Sequence, residues 1–211
     1  GIETGIPGDL TLLVGALGVV ATFGLFLCTA MIYASIMILQ EWASPLTVIN
    51  YTVLGIASGF TFATLFAALF ATELVNFFGG WAIIATLAAL VTRLSSLLRN
   101  ARIKYKSSTQ TAIGVRHSII SQRSQGFMSG SFNTREFFHG ASRLWFRSVK
   151  WIFLILVFPV PVVLLGLGIT GDSQGALTGA FAAQYTGLLA ERWFFFAQAN
   201  HPQNLYYQTV G

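Results

Sequence analysis

From Leu10 to Leu39 the chain carries no charged residue, and no other feature restricts its fold so strongly. A helix needs about 20 predominantly apolar residues to cross the roughly 30 Å hydrocarbon core of a bilayer, and this run has thirty. The pattern then recurs. Leu46 to Thr72 lies between Glu41 and Glu73, and Leu74 to Thr92 ends at Arg93. Two further spans run from about Trp151 to Thr170 and from about Ala176 to Gln198, with only "GDSQG" between them, which suits a tight helical hairpin.

Only 9% of the residues are charged and 55% are hydrophobic, whereas a soluble domain carries about 25% charged residues. A soluble fold is excluded, and the absence of period-2 alternation argues against a membrane barrel. The expected fold is all-α: a polytopic transmembrane helical bundle with five spans, forming a single membrane domain over residues 1–211. Small residues at helix-packing spacing, Gly55 with Gly59 and Gly175 with Gly179, are expected to let backbones approach closely. Pro159 and Pro161 in "FPVPVV" predict a bend in the fourth helix, and the backbone groups they free need partners on neighbouring helices. The lone cysteine, Cys28, cannot form an intrachain disulfide and is expected to pack.

Charge sets the orientation. Eleven of the twelve Lys and Arg residues fall between Arg93 and Lys150, opposed only by Glu136. The positive-inside rule places this 93–150 connection in the cytoplasm. Glu3, Asp9, Glu73 and Asp172 all fall on the opposite side.

Three stretches carry candidate chemistry. In "LLAERWFFFAQANHPQNLYY" the fifth span holds Glu191 and Arg192, and a charge at membrane depth usually faces the bundle interior and has a partner. Adjacent residues on a helix point about 100° apart, so each is expected to pair with another group. Two readings are open: an interhelical ion pair with Arg192 snorkelling, or a ligand site. In the connection, "SQGFMSGSFNTREFFHG" sets Phe132, Phe137 and the neighbouring aromatics among Asn133, Arg135, Glu136 and His139. These residues could lie on anionic lipid or dock a protein partner; nucleic acid is not expected in such a place. Near the first turn, Tyr33, Gln40, Glu41, Trp42 and Asn50 could form a headgroup pocket for a quinone, or simply satisfy the turn. None of His117, His139 and His201 lies in the middle of an expected span, so neither haem nor a metal site is expected.

Together, "CTAMIYASIMILQEWASPLTVINYTVLGIASG", "QGFMSGSFNTREFFHG" and "YTGLLAERWFFFAQANHPQNLYYQTV" resemble the membrane anchor subunit of dimethyl sulfoxide reductase-type molybdoenzymes, from about residue 20 to the end. The resemblance implies a bundle in a prokaryotic cytoplasmic membrane that binds a quinol, menaquinol or ubiquinol. It implies that electrons pass to an iron-sulfur, ferredoxin-like subunit and on to a molybdopterin catalytic subunit, with no metal in the anchor itself. Members of that family have eight helices, and the five spans here resemble the last five, so a longer polypeptide is expected. The family's "His-Leu-Gly" turn has no counterpart in this chain. Glu191 and Arg192, then Glu41, Asn50 and Tyr33, remain as quinol-site candidates, and a carboxylate such as Glu191 is a candidate to take a proton. The alternatives are a docking anchor without quinol chemistry, and a secondary transporter.

Overall fold

The computed structural model describes residues 8–37, 39–104, 111, 114, 117 and 142–199. Among these the regular structure is helical, with no strand: α1 (Gly8–Ala34), α2 (Pro45–Phe70), α3 (Val75–Ala101), α4 (Arg143–Val157), α5 (Pro159–Thr170) and α6 (Gln174–Ala197), with a single 3-10 turn, Thr72–Leu74, leading into α3. The protein is an all-α helical bundle. Four stretches are long and apolar enough to cross a membrane: Leu10–Ala34, Pro45–Phe70, Thr72–Ala101 and Leu144–Thr170. The 24-residue α6 is long enough to span at about 1.5 Å per residue. It is less apolar because Gln184 and Glu191 point into the bundle, where both are buried.

Helix ends follow local chemistry. Ser44 caps α2, its hydroxyl accepting from the Leu46 N–H, and Pro45 starts the helix where no N–H donor is needed. Ser142 and Ser173 do the same for α4 and α6 through the N–H groups of Trp145 and Ala176. Asp172 takes a positive φ of 46° to turn the chain between α5 and α6. The first helix stops at Ala34, short of Leu39, because the chain turns repeatedly before Ser44. At the other boundary α3 runs on past Thr92 to Ala101, which puts Arg93 inside a helix.

The fourth span bends as its prolines require. α4 ends at Val157, Phe158 is the junction, and α5 begins at Pro159. Pro161 has no N–H to offer the Val157 carbonyl one turn back. Gln184 of α6 supplies a donor instead, its Nε2 lying 3.5 Å from Val157 O and 3.2 Å from Thr86 Oγ1 of α3. Gly187, one turn further along α6, admits this approach: a Cβ there would fall 2.9 Å from the Leu156 backbone carbon.

Two larger apolar clusters fill the bundle, and a smaller one of Leu39, Trp42 and Phe195 lies at the turn before α2. One, toward the α2–α3 and α5–α6 turns, joins Ala68, Ala82, Leu165, Leu177 and Ala180. The other, toward the basic connection, joins Leu54, Ala89, Leu97, Phe153 and Phe194. The close-packing glycines are mostly different from those expected. Gly55 does meet the Phe26 ring, but nothing lies within 4 Å of a Cβ at Gly59, and Gly175 and Gly179 have only ordinary contacts; Gly79, Gly168 and Gly187 take the tight approaches. α1 leans on α2 through Phe26 and reaches Trp42 and Phe195 through Tyr33, and most of its remaining surface points outward, including Cys28, which is exposed rather than packed.

Candidate functional site

The site is built where side chains of α3 and α6 meet across the bundle. Arg93 and Glu191 occupy inward positions on them, at 2% and 0% exposure. Arg93 Nη2 lies 2.7 Å from Glu191 Oε1, a charge contact without hydrogen-bond alignment. The other carboxylate oxygen, Oε2, accepts a 2.7 Å hydrogen bond from Arg192 Nε. Glu191 and Arg192 bind each other because the long Arg192 side chain folds back along its own helix, but, as helical spacing implies, they do not satisfy each other fully. The expected interhelical partner also exists, and it is Arg93.

Aromatic rings surround the charges. The Arg93 guanidinium sits over Phe153 of α4 at 5.5 Å, and that of Arg192 sits between Tyr51 of α2 at 5.1 Å and Phe195 at 4.8 Å. A cation over an aromatic face gains about 2 kcal/mol where it is desolvated, as Arg93 is, and about 0.5–1 kcal/mol where it is exposed. One carboxylate between two guanidiniums leaves a net charge of +1. Arg192 is the outward member, with 31% of its side chain exposed.

Below this cluster the turn after α1 forms a second layer. Trp42 stacks on Phe195 with ring centres 5.1 Å apart, and its Nε1 donates to the Phe195 carbonyl at 3.1 Å. Tyr33 stands edge-on to Trp42, Phe195 and Phe196. Arg99 of α3 ties down the turn, its guanidinium donating to the carbonyls of Gln40 at 3.0 Å and Ala43 at 3.3 Å. Glu41 is buried in the same turn, and Asn50 is buried on α2 at 3% exposure.

The structure thus brings Glu191, Arg192 and Tyr33 into one connected region through Phe195. Glu41 lies in the turn that Arg99 holds. Phe132, Asn133, Arg135, Glu136, Phe137 and His139 lie outside the described residues. Sequence reasoning misses Arg93, because a charge at the end of an apolar run reads as the start of the connection. A signal is available, since Thr86 and Arg93 on α3 repeat the seven-residue step of Gln184 and Glu191 on α6. Tyr51 is missed as well.

An outward-facing apolar groove of about 450 Å³ runs between α1 and α2, lined by Gly15, Gly18, Val19, Phe23, Phe26 and Ile56 among others. Its Phe26 end meets Tyr51, with ring centres 6.2 Å apart. Among the described residues no group of three or more His, Cys, Asp or Glu converges.

Fold and site define a multi-pass helical membrane protein with a charge cluster buried in the half nearer its basic connection. The chain is similar to a sulfite dehydrogenase subunit from Allochromatium vinosum, with 55% identity over 202 residues. The match covers 96% of this chain and 62% of that protein, so the chain spans less than two thirds of its relative's length. No family model matches the chain, and no solved structure does.

Proposed function

We propose that this chain is part of the membrane subunit of an oxidoreductase complex and that it takes electrons from a partner iron-sulfur subunit to quinone in the bilayer. The observation that carries the reading is the similarity to a sulfite dehydrogenase subunit along 96% of the chain. That name also bears on the direction of electron flow. Oxidation of sulfite with water to sulfate releases two electrons and two protons, so electrons leave a molybdopterin catalytic subunit, cross the iron-sulfur subunit and reduce quinone. This is the reverse of the quinol-oxidising direction implied by the resemblance to dimethyl sulfoxide reductase anchors. The complex is assigned to a prokaryotic cytoplasmic membrane, with the basic connection on the cytoplasmic side.

The geometry supports a headgroup site on the outward side of the charge cluster. Arg192 is partly exposed beside Tyr51, so its guanidinium can donate to a quinone oxygen as that oxygen gains electron density. The groove that starts at Phe26 offers an apolar bed for the isoprenoid tail. Glu191 holds the Arg192 side chain in place, and Arg93 in turn holds Glu191.

The test is sulfite-dependent reduction of a short-chain quinone by the purified complex, normalised to its sulfite–ferricyanide activity. Arg192→Gln is expected to lower the normalised rate at least about tenfold, the value of one lost charged hydrogen bond of roughly 1.5 kcal/mol. Intact complex that reduces ferricyanide but not quinone would reduce this chain to a docking anchor.

A further inference from the structure

From the polar groups that α2, α3 and α6 turn toward one another we infer that the bundle contains a hydrated proton inlet, leading from the basic face to the Arg93–Glu191 pair and ending there. The inference rests on the proposed reduction of quinone, which consumes two protons for each two electrons.

The helix pairing comes first. α3 and α6 run parallel: Thr86 contacts Gln184, and seven residues on Arg93 contacts Glu191. A further seven residues bring Asn100 and Gln198, both half-buried at the basic end. A step of seven returns a side chain to nearly the same face, with a drift of about 20°. Ser96, buried at 6% exposure, lies between Arg93 and Asn100 on α3. On α2, the approach of Thr64 to Gly79 and of the Ala43 carbonyl to Arg99 sets an antiparallel register with α3 that puts Asn50 level with Arg93. Tyr51, its neighbour, touches Arg192.

These positions share a second property. Both side-chain polar atoms of Asn50, Arg93 Nε, Asn100 Nδ2 and Gln198 Nε2 are shielded from bulk solvent and have no hydrogen-bond partner in the protein. A polar group buried without a partner costs about 1–3 kcal/mol, and five such atoms along one interhelical line would be a heavy penalty. Buried water relieves it where a site is polar and each molecule finds two to four partners. A row of amides and a hydroxyl that neither titrate nor trap a cation is suited to relaying protons through ordered water.

The path is one-sided. Beyond Arg93 the same faces carry Leu54 and Ala89; Gln184 and Thr86 follow, bonded to each other with Gln184 Oε1 left without a partner, and past them come Ala82, Ala180 and Leu177. Water entering at Asn100 and Gln198 therefore stops at the Glu191 carboxylate, whose Oε2 adjoins Arg192 and the proposed headgroup position. Protons taken from the basic face reach quinone there, and the opposite half of the bundle stays closed to them.

Two measurements on the intact complex in proteoliposomes test the inlet. With Cys28→Ser as background, Ser96→Cys should react with a small charged methanethiosulfonate at least about tenfold faster than Ala82→Cys, because only a hydrated thiol ionises readily. Equal rates would overturn the inlet. Asn100→Leu combined with Gln198→Leu dries the entrance and leaves the ion pair intact. Quinone reduction, normalised to ferricyanide activity, should fall severalfold and show a larger solvent isotope effect. An unchanged rate and isotope effect would overturn the proton role. If wild-type complex does not reduce quinone at all, the proposed function fails, while the cysteine comparison still decides whether the inlet exists.

Discussion

Replacing one member of the Arg93–Glu191 pair should cost far more than replacing both. Removing one partner of a buried pair costs about 3–5 kcal/mol because the other charge is stranded, whereas exchanging both for apolar residues of similar volume is often neutral or stabilising. The contacts order the two single changes. In Arg93→Met, Glu191 keeps its 2.7 Å bond from Arg192, so the cost should sit near the lower bound, about 3 kcal/mol. In Glu191→Met, Arg93 keeps the face of Phe153 at 5.5 Å but loses its counter-charge and is left facing repulsion from Arg192, so the cost should approach about 5 kcal/mol. The Arg93→Met/Glu191→Met double variant should fall within about 1 kcal/mol of wild type, giving a large coupling energy in a double-mutant cycle. Unfolding free energies by steric trapping in bicelles would measure all four proteins. Single changes that are mild and additive would refute the pairing, and a costlier Arg93→Met than Glu191→Met would refute the assigned role of Arg192.

Changes at four other positions probe the packing. Gly187→Ala should destabilise by about 1–3 kcal/mol, because its Cβ would meet the Leu156 backbone at 2.9 Å, whereas Gly59→Ala, facing open space, should be neutral or slightly stabilising in the same unfolding assay. Gln184→Leu should cost about 1 kcal/mol: it removes the bonds to Thr86 and the Val157 carbonyl but also an Oε1 that is buried without a partner. Arg99→Ala should speed proteolysis of the turn between α1 and α2, and Arg99→Lys should restore little of the resistance, because the turn is held by a guanidinium reaching several carbonyls at once.

The helices are legible in the sequence because hydropathy reports directly on membrane spans, and the proline bend is legible because Pro161 cannot donate a hydrogen bond. The helix ends are less so. Hydropathy falls at Arg93 while the helix continues to Ala101, since a charge buried against Glu191 and Phe153 does not end a helix. The same limit hides the site. Hydropathy treats Arg93 as a boundary and Glu191 as an intrusion, and only pairing α3 with α6 makes them partners. Close-packing glycines escape a reading of the sequence for a related reason: spacing marks where a backbone could approach, but Phe26, Ile169 and Leu156 decide where it does.

The position of the charge cluster follows from the same physics as the distribution of basic residues. Arg93 lies eight residues from the end of α3 and Glu191 six from the end of α6, about 12 Å and 9 Å into the bundle. At that depth a charge is costly but still within reach of water that enters from the basic end. A net positive cluster near the connection that holds the other ten of the twelve cations also agrees with the orientation that those cations set. The far half, with Ala82, Leu165, Leu177 and Ala180 at its centre, has no buried charge to hydrate among the described residues. The headgroup position proposed above falls in the half near the basic face, where Arg192 and Tyr51 are partly exposed beside a buried carboxylate.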